Sequence, residues 1–210
     1  MATCQSKGMT PKLLTFDIFG TVLDWHTGLG ERDFDRIVDL QGELEQQRFR
    51  SYTEIMAESL IRVRLVDAVT AARIASEIGN WPLFPDSREA LRRIRRVAPC
   101  AATSNSDRAH AEQVQAQLGF RLDGWICAED VRAYKPDRRV WEATSHKMGR
   151  SFDRSWWHVS AYADYDLRTA RDLGLTCVFV QRPHSRPGPA DVTVPDLTTL
   201  AEVVEKAGGS

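Results

Sequence analysis

The feature that most constrains this chain is an alternation of short apolar runs with helix-like segments, which fills the sequence after Pro85. The apolar runs lie at 99–103, 125–128, 156–160, 175–180 and 192–194, with an earlier one at 13–19. Segments with helical periodicity separate the first four of the later runs, and each of these segments ends at a glycine, as helices often do. This alternation indicates βαβ units and therefore a parallel sheet.

Residues 25–84 interrupt the alternation. From 27 to 78 the pattern is helical, without proline and without a strand-like run, although Gly42 and residues 50–51 could divide it. Two prolines shortly afterwards end it, because proline cannot continue a helix. We therefore expect an α/β fold: a Rossmann-like parallel sheet with helices on both faces, formed by residues 11–24 and 85–210, and a small inserted helical cap formed by residues 25–84.

Charge and hydropathy exclude several classes of protein. Lysine and arginine total 28 and aspartate and glutamate 29, so no broad basic field is available to hold nucleic acid or an anionic membrane surface. No apolar run is long enough to span a bilayer, and the first residues lack the apolar segment of a signal peptide. We expect a cytoplasmic protein; whether it forms a homodimer is left open.

The four cysteines do not form a metal-binding pattern. Cys4, Cys100, Cys127 and Cys177 are far apart, with no CxxC and no Cys/His pair at zinc spacing. We expect reduced and partly buried thiols.

Reactive side chains follow several of the predicted strands. Because the carboxyl ends of parallel strands meet at one edge of the sheet, these side chains are expected to lie close together, where α/β sheets bind ligands. They are Asp17, Thr21, Ser104, Asn105, Lys135, Ser160 and Asp166.

The segments that carry these residues resemble the haloacid dehalogenase superfamily and, within it, the L-2-haloacid dehalogenases of type II. The resemblance rests on FDIFGTVLDW, ATSNSD, AEDVRAYKPDRRVWEA and HVSAYADYDLRTARDLG, which occur in the family's order. It covers about residues 12–23 and 85–180, whereas the cap matches only in its position and helical character.

The resemblance implies that Asp17 is a nucleophile. A carboxylate is a weak nucleophile unless it is desolvated and kept ionised, and Lys135 is a suitable cation for that purpose. Thr21 can orient one carboxylate oxygen. The alternative is that Asp17 only satisfies backbone groups of a turn, but placing an acid after a largely apolar strand costs free energy unless the acid is used.

Phe19 and the fourth segment separate this chain from the phosphatases of the superfamily. Those phosphatases carry a second aspartate where Phe19 stands, as the acid for a leaving alcohol, whereas a halide leaves without a proton. Ala161 replaces the first of two magnesium-binding acids, and Asp166 matches the second. We expect no required metal and no cofactor. Asp166 could pair with Lys135, position water or stabilise a helix N-terminus through the helix dipole. Asp164 is the alternative candidate for the functional acid of this segment.

The resemblance also implies substrate contacts. Ser104 and Asn105 match the segment that binds a substrate carboxylate, Ser160 matches a family serine, and Trp141 stands where such dehalogenases often carry tyrosine. The family supplies an arginine from its cap, for which Arg48 and Arg50 are the candidates. The alternative is that these arginines are solvated on a helix face.

Together these observations predict a hydrolase that displaces halide from C2 of a short 2-haloalkanoic acid through an aspartyl ester of Asp17. The expected partner is a small carboxylate substrate, without nucleic acid or membrane. Three alternatives remain open: a related hydrolase acting on another C2 leaving group, a magnesium-dependent phosphatase with an altered motif, and a catalytically silent binding protein.

Overall fold

The computed structural model describes residues 10–209 and confirms the α/β class. Six strands form one parallel sheet in the order β3-β2-β1-β4-β5-β6. The strands are β1 (Leu13–Phe16), β2 (Cys100–Ser104), β3 (Gly124–Cys127), β4 (Trp156–Ser160), β5 (Thr176–Val180) and β6 (Val192–Val194).

Helices cover the sheet and fill the insertion. They are α1 (Trp25–Leu29), α2 (Phe34–Glu45), α3 (Tyr52–Arg64), α4 (Ala68–Ser76), α5 (Ser87–Ile94), α6 (Arg108–Leu118), α7 (Ala128–Val131), α8 (Arg139–Met148), α9 (Asp166–Asp172) and α10 (Leu197–Gly208), with a 3-10 turn at Ile78–Asn80. Among the described residues, no helix is long and apolar enough to cross a membrane.

The strand order places a crevice at the carboxyl end of β1. The chain runs from β1 to β2 and β3 on one side, and then returns to place β4 on the other side. Every residue of β1 is buried, since its side chains lie between two helical layers. Ligands of such sheets bind where the strand order reverses, so the residues just after Phe16 are well placed for chemistry.

The insertion consists of helices that pack in sequence, α2 against α3 and α3 against α4. Its third helix is tied to the sheet-bearing part: Asp107, just before α6, accepts hydrogen bonds from the backbone N–H groups of Tyr52 and Thr53 at 2.9 and 2.8 Å. The Thr53 hydroxyl donates to the same carboxylate. On this basis we propose the division into a core of residues 11–24 and 85–210 and a cap of residues 25–84.

Some boundaries differ from those predicted. The strand expected at 13–19 ends at Phe16, because the chain turns there and the Ile18 carbonyl accepts from three following N–H groups. Gly42 lies inside α2, so the break falls only after Glu45. Helix α7 was not predicted, since four residues are too few to show periodicity.

The cysteines that the structure describes are buried free thiols: Cys100, Cys127 and Cys177. Burial raises the pKa of each thiol above its ordinary value, so all three are protonated at neutral pH. Cys4 lies outside the described residues.

Candidate functional site

A cavity of about 630 Å³ lies between the carboxyl edge of the sheet and helices α2 and α3. Asp17 and Lys135 lie in its wall on the sheet side, and Ser104 and Asn105 border it at the end of β2. The apolar part of the wall is largely aromatic and includes Phe19, which is 9% exposed. Of the residues predicted to lie at this edge of the sheet, Asp17, Ser104, Asn105 and Lys135 therefore border one cavity.

Both carboxylate oxygens of Asp17 are held in place. Oδ1 accepts a hydrogen bond from Lys135 Nζ at 2.8 Å, and Oδ2 accepts one from the Thr21 hydroxyl at 2.7 Å. Thr21 Oγ1 in turn accepts from the backbone N–H of Ala161 at 2.9 Å, which fixes the direction in which the hydroxyl donates. The carboxylate is thus oriented and paired with a cation while remaining at the wall of the cavity.

Behind Lys135 lies a second carboxylate in a fully buried network. Asp166 Oδ2 accepts from Lys135 Nζ at 2.8 Å, and Oδ1 lies 3.1 Å from His158 Nε2. The other ring nitrogen of His158 is 2.8 Å from the Thr15 hydroxyl, which also accepts from Trp156 Nε1. With both oxygens engaged, Asp166 positions Lys135.

Asp166, and not its rival, is the acid in the network. Asp164 is only partly buried, and its Oδ1 accepts from the backbone N–H of Tyr165 at 3.0 Å. Ala161 supplies no side-chain oxygen beside Asp166. Among residues 10–209, no group of three His, Cys, Asp or Glu side chains is placed to hold a metal ion.

Burial and pairing act in opposite directions on these groups. Burial raises the pKa of Asp17 above its ordinary value, although Lys135 partly offsets that effect. Burial opposes ionisation of Asp166, but Lys135 and His158 outweigh it and lower the pKa of that carboxyl. Burial likewise disfavours the Lys135 ammonium, yet the two carboxylates raise its pKa. Lys135 and Asp166 are therefore charged at neutral pH, and Asp17 is a desolvated carboxyl group whose ionised form is favoured by Lys135 and disfavoured by burial.

A tight turn after Asp17 depends on glycine. Gly20 has a φ of +87°, a conformation that side chains disfavour. A Cβ there would collide with the Tyr162 ring and with Trp25, whose indole N–H donates to the Tyr162 hydroxyl at 2.8 Å. The glycine therefore lets a cap residue and a core residue meet directly above the turn.

We expect Gly20→Ala to be among the more destabilising single changes near the site. The left-handed backbone costs about 1–2 kcal/mol, and displacing two packed rings adds about 1–3 kcal/mol. Urea unfolding should show both costs. Gly119→Ala is the matched control, because Gly119 has a φ of +75° and nothing within 4 Å of its would-be Cβ. Equal losses in the two variants would contradict the role assigned to the ring contacts.

Ser104 and Asn105 differ in how they meet the cavity. Ser104 is 1% exposed, and its hydroxyl has no hydrogen-bond partner among the residues that the structure describes. The Asn105 amide is already engaged: Oδ1 accepts from the Lys135 N–H at 2.7 Å and Nδ2 donates to Glu45 Oε2 at 3.1 Å. Ser104 is thus available to a ligand, whereas Asn105 joins the lysine segment to the cap.

Three predicted substrate contacts lie outside the cavity wall. Ser160 is buried, and its hydroxyl accepts from the Tyr162 N–H at 3.0 Å. Trp141 is fully buried in an apolar cluster, where its ring lies edge-on to His158. Arg48 is exposed, because α2 ends before it and the chain turns away. Its neighbour Arg50 pairs with Glu58. Ser160, Trp141 and Arg48 are thus absent from the cavity wall, and a contact of any of them with substrate stays a prediction.

Sequence reasoning missed Glu45, the last residue of α2. Its side chain lines the cavity and is partly buried. Burial raises its pKa to about 8, although Lys135 and the hydrogen bond from Asn105 act in the opposite direction. The sequence pattern could have indicated this position. Gln41 and Glu45 are one helical turn apart, on the face of α2 that also buries Ile37 and Leu44.

This chain is similar to known hydrolases in both sequence and fold. A model of the haloacid dehalogenase-like hydrolases matches residues 11–157. An (S)-2-haloacid dehalogenase of Pseudomonas putida is 25% identical over 192 residues, covering 80% of this chain and 84% of that protein. A second from the same organism, named H-109, is 26% identical over 197 residues, covering 80% and 85%. The structure of L-2-haloacid dehalogenase from Xanthobacter autotrophicus with chloropropionic acid covalently bound superposes with a TM-score of 0.80 at 18% identity, covering 93% of this chain and 98% of that one.

Proposed function

Because this chain belongs to the haloacid dehalogenase-like hydrolases, we propose that it hydrolyses the bond between C2 and halogen in a short 2-haloalkanoic acid. The observation that carries the proposal is the Asp17 carboxylate, which lies in the cavity wall with one oxygen on Lys135 and the other on Thr21. The names of the (S)-2-haloacid dehalogenases that this chain resembles support the choice of substrate.

In the first step, an oxygen of Asp17 attacks C2 from the side opposite the halogen. The new C2–O bond forms an ester, and the electron pair of the breaking bond leaves with the halide, so the configuration at C2 inverts. Thr21 and Lys135 hold the carboxylate in one orientation, which lowers the entropic part of the barrier. No proton is needed by the leaving halide, which fits an aromatic side chain at Phe19.

In the second step, water attacks the ester carbonyl of Asp17. The acyl C–O bond breaks, the 2-hydroxy acid departs with a proton on its hydroxyl, and Asp17 returns as a carboxylate with release of one further proton. The net reaction consumes one water and yields halide, 2-hydroxy acid and a proton. Lys135, held by Asp166, stabilises the negative charge that develops on the carbonyl oxygen.

The cavity suits a small and largely apolar substrate with one anionic end. Phe19, Trp25, Val38 and Phe49 contribute apolar wall, and the unpartnered Ser104 hydroxyl offers a donor for the carboxylate. Ser104 is the last residue of β2, which neighbours β1, so that donor and the nucleophile border the same cavity from adjacent strand ends.

Halide release is the direct test. Purified protein should free bromide from 2-bromopropionate and chloride from 2-chloropropionate equally well with and without a strong chelator. In a single turnover in ¹⁸O-labelled water, the label should enter Asp17, because the hydroxyl oxygen of the product comes from the carboxylate. The proposal is wrong if no 2-haloacid releases halide and a phosphate ester is hydrolysed with magnesium instead.

A further inference from the structure

The charges of the cavity wall raise a problem for an anionic substrate. Within the described part of the chain, the basic residues of the wall (Arg132, Lys135, Arg139 and Arg186) all lie outside residues 25–84, so no cap residue supplies a cation. Lys135 is already shared between two carboxylates. The cap contributes an acid, Glu45, which would repel an anionic substrate if it were ionised. This inference rests on the proposed 2-haloacid substrate.

Glu45 is fixed against the core side of the cavity. Its Oε2 accepts from Asn105 Nδ2 at 3.1 Å, and Asn105 Oδ1 accepts from the backbone N–H of Lys135 at 2.7 Å. Its other oxygen, Oε1, has no hydrogen-bond partner among residues 10–209. The Ser104 hydroxyl next to Asn105 in sequence is unpartnered as well and is 1% exposed. Two polar groups without partners thus border one cavity.

We propose that Glu45 binds the substrate as a neutral carboxylic acid, donating the O–H of Oε1 to the substrate carboxylate while the Ser104 hydroxyl donates to the same group. A carboxyl group that donates to a carboxylate makes a charge-assisted hydrogen bond. An ionised Glu45 could donate nothing and would repel the anion. In this proposal, a neutral Glu45 takes the substrate-binding role that the family resemblance implies for an arginine of the cap.

The groups around Glu45 favour its neutral form at pH 7. The positive charge acting on it is Lys135, and the polar groups facing it are Asn105 from the end of β2, Tyr52 of α3, Tyr134 from the α7–α8 loop, and Tyr165 just before α9. Burial raises the pKa of all three tyrosines, so they stay neutral. Of the other ionisable wall residues, Asp17 pairs with Lys135, Arg139 with Asp137 and Arg186 with Asp39, while Arg132 lies over the Phe49 ring.

We expect the dissociation constant of a carboxylate ligand to depend on pH only above the pKa of Glu45. Burial raises the pKa of Glu45 to about 8, so below that value the acid is ready to donate. Above it, each anion bound must bring one proton with it, and the dissociation constant should rise about tenfold per pH unit. By pH 9.5 binding should be weaker than at pH 7 by about 30-fold. The turnover number at saturation should change little over this range, because the bound form is protonated.

Binding of propionate, followed by calorimetry, tests this without relying on turnover. Glu45→Gln keeps the shape and a donor but cannot ionise, so its affinity should vary less than about threefold from pH 7 to 9.5. At pH 9.5 it should exceed that of the wild type. Glu43→Gln, an exposed change on the same helix, should keep the wild-type slope. Propionamide, which has no charge, should show no alkaline weakening in any variant.

Proton uptake gives a measurement that needs no variant. In buffers of different ionisation enthalpy, the wild type should take up close to one proton per propionate at pH 9 and almost none at pH 6.5. The inference is overturned if propionate does not bind, if the wild type shows neither slope nor uptake, or if Glu45→Gln keeps the slope. If propionate binding is linked to proton uptake but no 2-haloacid releases halide, the proposed function is wrong, whereas the role of Glu45 in binding a carboxylate is supported.

Discussion

Replacing Asp17 by asparagine is expected to lower the turnover number for every 2-haloacid that the chain hydrolyses by at least about 10⁴-fold. The amide keeps the size of the carboxylate but is a poor nucleophile and cannot be regenerated from an ester by water. Stability should not fall, because the change removes one of two buried carboxylates that share Lys135. Halide release in a single-turnover experiment and urea unfolding together measure both expectations.

Asp164→Asn is the matched control for this change. It makes the same chemical replacement close to the site, but Asp164 does not touch Lys135 or line the cavity. The control should retain most of the activity. A variant of Asp17 that still released a full equivalent of halide per protein molecule would show that another group attacks the substrate.

Replacing Lys135 by methionine should have the largest effect on stability. It leaves two buried carboxylates without their common counter-ion, a loss of about 3–5 kcal/mol in the free energy of unfolding. The loss should grow with pH. Without the ammonium, burial raises the pKa of both acids in the folded protein. The folded state then keeps protons that the unfolded chain releases above about pH 4, so its stability falls as the pH rises. In the wild type the lowered pKa of Asp166 acts in the opposite sense, since it adds stability that is lost only on acidification.

Urea unfolding from pH 4.5 to 8 measures this difference. Lys12→Met, at an exposed position, should change stability by less than about 0.5 kcal/mol at every pH. Adding Asp166→Asn to the Lys135 variant should recover part of the loss, because one uncompensated charge is gone. A pH-independent loss in the single variant would mean that Lys135 matters for packing and not for charge.

The parts of the site that the sequence predicted share one property: each lies at or beyond the carboxyl end of a strand. Asp17 follows β1, Ser104 ends β2, and Lys135 comes after β3 and α7, so the parallel strands bring all three to one edge of the sheet. The contact between Thr15 and His158 was not foreseen, since it depends on β1 pairing with β4 across 143 residues. The sequence does show that Thr15 and His158 are polar residues inside otherwise apolar strands, but not that they contact each other.

The cap was harder to predict because helix ends decide which side chains face inward. Arg48 and Glu45 are three residues apart, yet α2 ends between them and only Glu45 faces the cavity. Trp141 lies outside the cavity wall for another reason: α8 packs its ring into an apolar cluster with Ala101 of β2 and Ile126 of β3, where burial of a large ring stabilises the core.

The sharing of Lys135 has a consequence for the order of states along the proposed reaction. When Asp17 is ionised for the proposed attack, two carboxylates around one ammonium leave one unbalanced negative charge in a buried place. Formation of the ester neutralises Asp17, and Lys135 and Asp166 then remain as a balanced pair. Once the halide has left, the negative charge of the covalent intermediate is therefore that of the substrate carboxylate at the Ser104 end of the cavity, and no charge beside Lys135 is left unbalanced.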